Sequence, residues 1–207
     1  MTDPQACRIF VVRHGRTALN AQGRYRGRQD PPLDEQGWVD AHWAAGVLAG
    51  QPLEAVYTSP LARARQTAEA IGGRHSLVPK EAPELIDLDY GTWEARTPAE
   101  AEAADPEAFA TFRDHPEDAQ LPGGEAMRAV ADRVLAALRD VVASHPDAPS
   151  AAVTHEIPMR LIIGRCLELG AAIWDVLLPP GAILELRPEP GSTAFVLERA
   201  VGALLPS

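Results

Sequence analysis

Two histidines stand at the ends of short apolar runs, where chemistry is most easily built. Ile9-Phe10-Val11-Val12 leads into Arg13-His14-Gly15, and Ala151-Ala152-Val153-Thr154 leads into His155. A third run, Ala55-Val56-Tyr57-Thr58, leads through Ser59-Pro60 into a segment carrying Arg63 and Arg65. Imidazole serves as nucleophile or proton carrier near neutral pH, and guanidinium matches phosphate oxygens two at a time. An Arg-His-Gly triplet alone carries little weight, because a histidine at a strand end commonly has a structural role only. Three strand ends that meet change this, since parallel strands of one sheet open their carboxyl ends onto one crevice. Two Arg, two His and nearby acids, without a Cys cluster or carboxylate cage, fit phosphoryl transfer through a covalent histidine better than metal-dependent hydrolysis.

The elements that must position these groups follow in alternation. A polar loop from Asn20 to Pro32 carries Arg24, Arg26 and Arg28 two apart, which suits either an exposed strand or a loop aimed at a ligand. Asp34 is an N-cap for a helix with Trp38, Ala41, Ala45 and Leu48 at helical spacing, ended by Gly50 and Pro52. Ser59-Pro60 reads as N-cap and first-turn proline of a helix from Leu61 to about Ile71, with Gly72-Gly73 as its stop. Cations in the first turns of that helix oppose its dipole, which points to an anion bound there. The stretch from Pro83 to Trp93 is an ordered loop holding Asp87, Asp89 and Glu94, and one short surface helix is predicted from Pro98 to about Phe112. A long helix spans Glu125 to about Ala143, another runs from about Pro158 to Leu169, and residues 182–187 and 194–198 form a closing strand pair.

The 207 residues suffice for a substantial core and are read as one domain over 1–207. A net charge of -10 argues against a non-specific nucleic-acid binder and against an anionic-membrane binder. Lys80 is the sole lysine among 19 basic residues, and Arg13, Arg16, Arg24, Arg26, Arg28, Arg63 and Arg65 crowd the first third. Genome-wide preference for Arg explains much of that count; its clustering suits a small anion. Cys7 and Cys166 have neither disulfide nor metal-ligand spacing and are expected to be small core residues. Residues Met1 to Gln5 lack a basic region leading into an apolar stretch, and no apolar run approaches the ~20 residues of a membrane span, so a soluble cytoplasmic protein is expected.

In its motifs the chain resembles the histidine phosphatase superfamily, the clan that includes cofactor-dependent phosphoglycerate mutases. Arg13-His14-Gly15 with Thr17, Asn20 and Gly23-Arg24 is similar to the family signature, followed by Pro32-Leu33 with Gly37. Ser59 to Ala68 is similar to its second motif, Leu85 to Glu94 to its acid-bearing loop, Pro122-Gly123-Gly124-Glu125 to the next landmark, and Thr154-His155 to its closing histidine. The resemblance spans nearly the whole length, with five motifs in the family's order. It implies an α/β, three-layer sandwich, phosphoglycerate mutase-like, with a mostly parallel central sheet and helices on both faces. By the same resemblance His14 is the nucleophile, Arg13, Asn20, Arg63 and His155 bind phosphate, and Asp87 is the general acid. Arg16, Thr17, Arg24 and Arg26 are candidate substrate-binding residues, and neither metal nor cofactor is implied.

Three positions depart from the pattern. The family often has an acid or amide where this chain has Arg16, which is expected to be a solvated surface residue, the alternative being a contact to a second anionic group of the substrate. The family's acid is commonly Glu where this chain has Asp87, which leaves Asp89 and Glu94 as rivals. Glycine usually follows the closing histidine, whereas Glu156 follows here; it is expected to face the helix start or to pair with an arginine. The expected activity is metal-independent hydrolysis of a small phosphomonoester through phosphohistidine. The alternatives are mutase-type transfer, for which the segment between Arg63 and His155 is short, and a non-catalytic phosphate-ligand binder. The only partner implied is the small substrate; oligomeric state is open, with a homodimer among the options.

Overall fold

The computed structural model describes residues 7–206, so the N-terminal stretch read as lacking a secretory signal lies outside the described residues. Its strands are β1 (Ile9–Arg13), β2 (Ala55–Thr58), β3 (Lys80–Glu81), β4 (Ser150–Thr154), β5 (Ile183–Pro188) and β6 (Phe195–Val201). They form one sheet in the order β3-β2-β4-β1-β5-β6. The first four are mutually parallel, and β5 and β6 add an antiparallel edge. The helices are α1 (Glu35–Leu48), α2 (Ala62–His75), α3 (Pro98–Ala104), α4 (Pro106–Asp114), α5 (Met127–Ser144) and α6 (Glu156–Leu167).

The side-chain alternation of β1 divides the core in two. Phe10 and Val12 face α1 and α2 together with Val56, Ala151 and Val153. Ile9 and Val11 face α5 and α6 with Ala152 and Leu184. Period two along a strand sends successive side chains to opposite faces, so a wholly apolar run requires helices on both. Every residue of β1 and β4 is accordingly buried, and the expected three layers are present.

Several boundaries differ from those predicted. Helix α2 continues through Gly72-Gly73 to His75 and ends at Ser76, which takes the left-handed conformation with φ 57°. Gly72 lies inside the helix at a position where a Cβ would strike the Leu77 carbonyl, so its glycine serves close packing and not a stop. The stretch 98–112 is two helices, not one. Pro106 has no N–H to continue a helix, and the Asp105 carboxylate caps α4 by accepting from Ala108 N at 3.0 Å. Helix α6 begins at Glu156, directly after His155, with Pro158 inside its first turn where no intrahelical donor is required. Trp38 lies 38% exposed, because the inward stripe of α1 is Ala41, Ala44, Ala45 and Leu48. Cys7 and Cys166 are free and only half-buried at the core margin. Among the described residues no helix is long and apolar enough to cross a membrane.

Candidate active site

Pairing of β1 with β4 sets Arg13 beside Thr154, so the residues that follow, His14 and His155, meet with ring centroids 5.1 Å apart. The end of β2 lies on the other side of β4, where Ser59 N donates to the Val153 carbonyl at 3.0 Å. That strand end delivers Ser59 and the first turn of α2 to the same edge. The turn beneath His14 depends on two glycines. A Cβ on Gly15 would run into the Gly37 carbonyl oxygen, and one on Gly37 into the Arg16 carbonyl oxygen. The Asp34 carboxylate caps α1 by accepting from Gly37 N at 2.8 Å, as predicted.

His14 is fully buried, and its Nδ1 lies 2.6 Å from the Gly15 carbonyl oxygen. A carbonyl only accepts, so Nδ1 carries the proton and Nε2 is bare. Nε2 accepts from Arg63 Nε at 3.1 Å. Burial, then the positive charges of Arg63, Arg13 and Arg26, push the His14 pKa well below its ordinary value, so the ring is neutral.

Arg63 is fully buried and held from three sides. Nη1 donates to the Gln29 carbonyl at 2.6 Å, and Nη2 donates to the Gly27 carbonyl at 2.9 Å and to Asp87 Oδ2 at 3.3 Å. The loop predicted around Arg24, Arg26 and Arg28 thus wraps the guanidinium with its backbone. Arg65, one position beyond the inward-facing Ala64, is exposed away from the site.

His155 Nε2 lies 2.7 Å from Ser59 Oγ. Ser59 Oγ also accepts from Leu61 N at 3.4 Å, and a hydroxyl that both donates and accepts can serve either ring tautomer of His155. Nδ1 has no hydrogen-bond partner and is 3.8 Å from Asp87 Oδ2. Burial, with Arg63 next, lowers the His155 pKa well below its ordinary value. Ser59 is therefore no helix cap: α2 is flanked by Leu61, without a side-chain cap. Ser-Pro before a helical pattern has the same signature in both roles, so only its place after a strand end hinted at the site.

Asp87 is buried, and burial raises its pKa against the opposing pull of Arg63 and Arg26. Its loop is fastened by Arg133 of α5, which donates to the carbonyls of Glu84, of Ile86 at 2.7 Å and of Asp87 at 3.2 Å. The rivals are engaged elsewhere. Asp89 accepts from Gly91 N at 2.9 Å and pairs with Arg28 at 3.2 Å, while Glu94 accepts from Arg28 N at 2.9 Å. Of the three acids only Asp87 lines the cavity of about 470 Å³ that opens at this edge.

Arg13 donates through Nη1 to the Leu178 carbonyl and pairs through Nη2 with Glu156 at 2.6 Å, while its Nε is buried without a partner. Asn20 lines the cavity, its Oδ1 accepting from Thr17 N and Oγ1, both at 2.9 Å. Thr17 therefore orients Asn20 and does not line the cavity itself. Arg16 is turned away from the cavity, with Nε on Asp34 at 2.9 Å. Arg24 reaches the rim, tied to the Ala95 carbonyl at 2.7 Å and to Glu100 at 2.9 Å. Arg26 lines the cavity, and its Nε is buried without a partner. Glu156 pairs as expected with arginine: with Arg13, with Arg160 at 2.9 Å and more loosely with Arg26 at 3.8 Å. Against its burial, Arg13 and Arg160 hold its pKa below the usual carboxylate value.

Residues 9–200 match the histidine phosphatase superfamily (branch 1). The chain belongs to this family. It is 34% identical over 169 residues to a bifunctional protein of Mycobacterium tuberculosis, covering 80% of this chain and 46% of that one. The chain thus spans about half the length of the first curated relatives it matches. Phosphoserine phosphatase 1 of Hydrogenobacter thermophilus is 32% identical over 163 residues, covering 79% of this chain and 76% of its own. Among solved structures, a mycobacterial glucosyl-3-phosphoglycerate phosphatase in complex with VO3 superposes with a TM-score of 0.81 at 27% identity, over 93% of this chain and 97% of that one. The α/β sandwich inferred from the motifs is thus the fold that this chain shares with members of the family.

Proposed function

We propose that this protein hydrolyses a small phosphomonoester through a phosphohistidine formed on His14. The observation that carries the reading is the Gly15 carbonyl on His14 Nδ1, which leaves Nε2 as a bare nitrogen among guanidinium groups. The names of its relatives, which are phosphatases of phosphorylated small molecules, support the same reaction class.

In the free site Nε2 is occupied by the Arg63 Nε–H. An arriving phosphate offers that donor a charged acceptor, which makes the stronger bond and frees the lone pair for attack. Buried nitrogens without partners, Arg13 Nε, Arg26 Nε and, in its Nδ1–H tautomer, His155 Nδ1, supply further donors for the equatorial oxygens. Attack by Nε2 forms the N–P bond as the P–O bond to the alcohol breaks. Asp87, whose pKa is raised by burial, gives a proton to the departing alkoxide. It then takes a proton from water, whose oxygen attacks phosphorus as the N–P bond breaks. Inorganic phosphate leaves, and His14 and Asp87 return to their starting states. Guanidinium groups bear the charge stabilisation throughout, so no step draws on a metal.

Phosphate release from phenyl phosphate in excess chelator, wild type against His14→Ala, tests the proposal. Turnover in the wild type that vanishes in the variant is expected. Turnover that survives in the variant, or that appears only on adding a divalent cation, would overturn it.

A further inference from the structure

The cavity lined by Arg13, Asn20, Arg26 and Asp87 is larger than a phosphate requires, and much of its remaining lining is aromatic; His14, Arg63 and His155 are buried behind it and do not line it. At about 470 Å³ it falls among pockets that take drug-sized ligands. Tyr25, Tyr90, Phe109, Phe112 and Trp174 line it, five of only eleven aromatic rings in the chain. They make one surface. Tyr25 stacks on Tyr90 at 4.5 Å and meets Phe112 edge-on at 6.2 Å, and Phe112 meets Trp174 at 4.6 Å. Trp174 is fixed in place, its indole N–H donating to the Arg113 carbonyl at 2.9 Å with the Arg160 guanidinium 5.8 Å over the ring. Rings already immobilised lose little further freedom when a ligand arrives. Phe109 and Trp174 are only half-buried, so apolar faces are left toward the cavity.

The same cavity offers nothing to a cation. Asp87 and Glu156 are the only acids lining it among the described residues. Both oxygens of Glu156 are engaged, Oε1 by Arg160 at 2.9 and 3.1 Å and Oε2 by Arg13 at 2.6 Å. Asp87 is engaged as well, Oδ2 by Arg63 at 3.3 Å and Oδ1 by Leu88 N at 2.9 Å. An ammonium group would instead meet the guanidiniums of Arg24, Arg26, Arg113 and Arg160 around the lining.

We infer that this cavity selects phosphomonoesters whose alcohol carries an aromatic or heteroaromatic ring and no cationic group. With phosphorus at His14, such a ring lies against Tyr25, Phe109, Phe112 and Trp174. The inference rests on the phosphatase reading above and adds to it the class of the leaving alcohol.

The test compares kcat/KM for three primary alkyl phosphates, so that alkoxide quality stays similar: 2-naphthylmethyl phosphate, glycerol 1-phosphate and phosphoserine. The wild type is expected to favour the naphthylmethyl ester over glycerol phosphate by at least about tenfold, with phosphoserine poorest. Trp174→Ala and Phe109→Ala should each lower the naphthylmethyl-to-glycerol ratio several-fold. Because the wild-type ratio is itself decisive, the test survives a variant that fails to fold. Equal use of the naphthylmethyl and glycerol esters, or a preference for phosphoserine, would overturn this inference and leave the phosphatase reading standing. No turnover of any ester by folded wild type would overturn both.

Discussion

Replacing His14 with Gln should make the protein relatively more tolerant of acid. The wild-type imidazole is fully buried, donates through Nδ1 to a carbonyl and accepts a guanidinium N–H on Nε2. A proton on Nε2 would expel that donor and set a cation against Arg63. The folded-state pKa is thus depressed, while an unfolded histidine titrates near ~6.5. Below that pH the unfolded chain binds a proton that the folded chain refuses, so the stability present above ~6.5 is lost as pH falls, by about 1.4 kcal/mol per pH unit for each such histidine. His155 contributes with the same sign. Asp87, whose folded pKa is raised, contributes with the opposite sign. His14→Gln removes one histidine and leaves the other two groups in place. Between pH 7.5 and 5.5 the variant should therefore gain about 1.4 kcal/mol relative to wild type, whatever its starting stability. Urea unfolding at both values measures this as a differential midpoint shift of about 0.5–1 M, taking a slope near ~2 kcal/mol/M. Parallel pH dependence in the two proteins would show that His14 titrates like a solvated residue, and the bare-Nε2 assignment would fall with it.

Three further substitutions probe the parts around it. Asp87→Asn should lower kcat by ~10²–10⁴ on alkyl phosphates and remove the decline expected of the wild type as pH rises through the raised carboxyl pKa; an unchanged pH profile would assign the acid elsewhere. Ser59→Ala strips His155 Nε2 of its 2.7 Å partner and should reduce kcat about tenfold, in line with one hydrogen bond, with recovery in Ser59→Thr; wild-type kinetics would reduce Ser59 to a bystander. Gly37→Ala drives a Cβ into the Arg16 carbonyl and should cost about 1–3 kcal/mol in thermal or urea unfolding, a size typical of overpacking; unaltered stability would mean the turn below His14 yields freely.

How far the site was legible depended on how local its signals are. Apolar runs breaking into Arg13-His14 or His155 declare a strand end within a few residues, and pairing in register then brings the histidines together. Asp87 led Asp89 and Glu94 from its motif, but what separates it physically lies in three dimensions, since the grip of Arg133 on its loop comes from α5, 46 residues away. Ser59 was misread because a serine before a helix has the same neighbours whether it caps backbone or holds a histidine. The Asp105-Pro106 break was present in the sequence, but Ala- and Glu-rich periodicity ran across it. Glu156 could be given a kind of partner but not its three arginines, which lie on β1, α6 and the Arg26 loop. The aromatic wall was illegible, because it gathers Tyr25, Phe112 and Trp174 from three separate regions of the chain.

The most direct measurement is to trap the phosphoenzyme. Enzyme mixed with radiolabelled phenyl phosphate in chelator is quenched in alkali, and label remaining on the protein is counted and mapped. A phosphohistidine route predicts alkali-stable, acid-labile label on the peptide containing His14, absent from His14→Ala together with turnover. Label on another residue, or hydrolysis by His14→Ala at the wild-type rate, would contradict it.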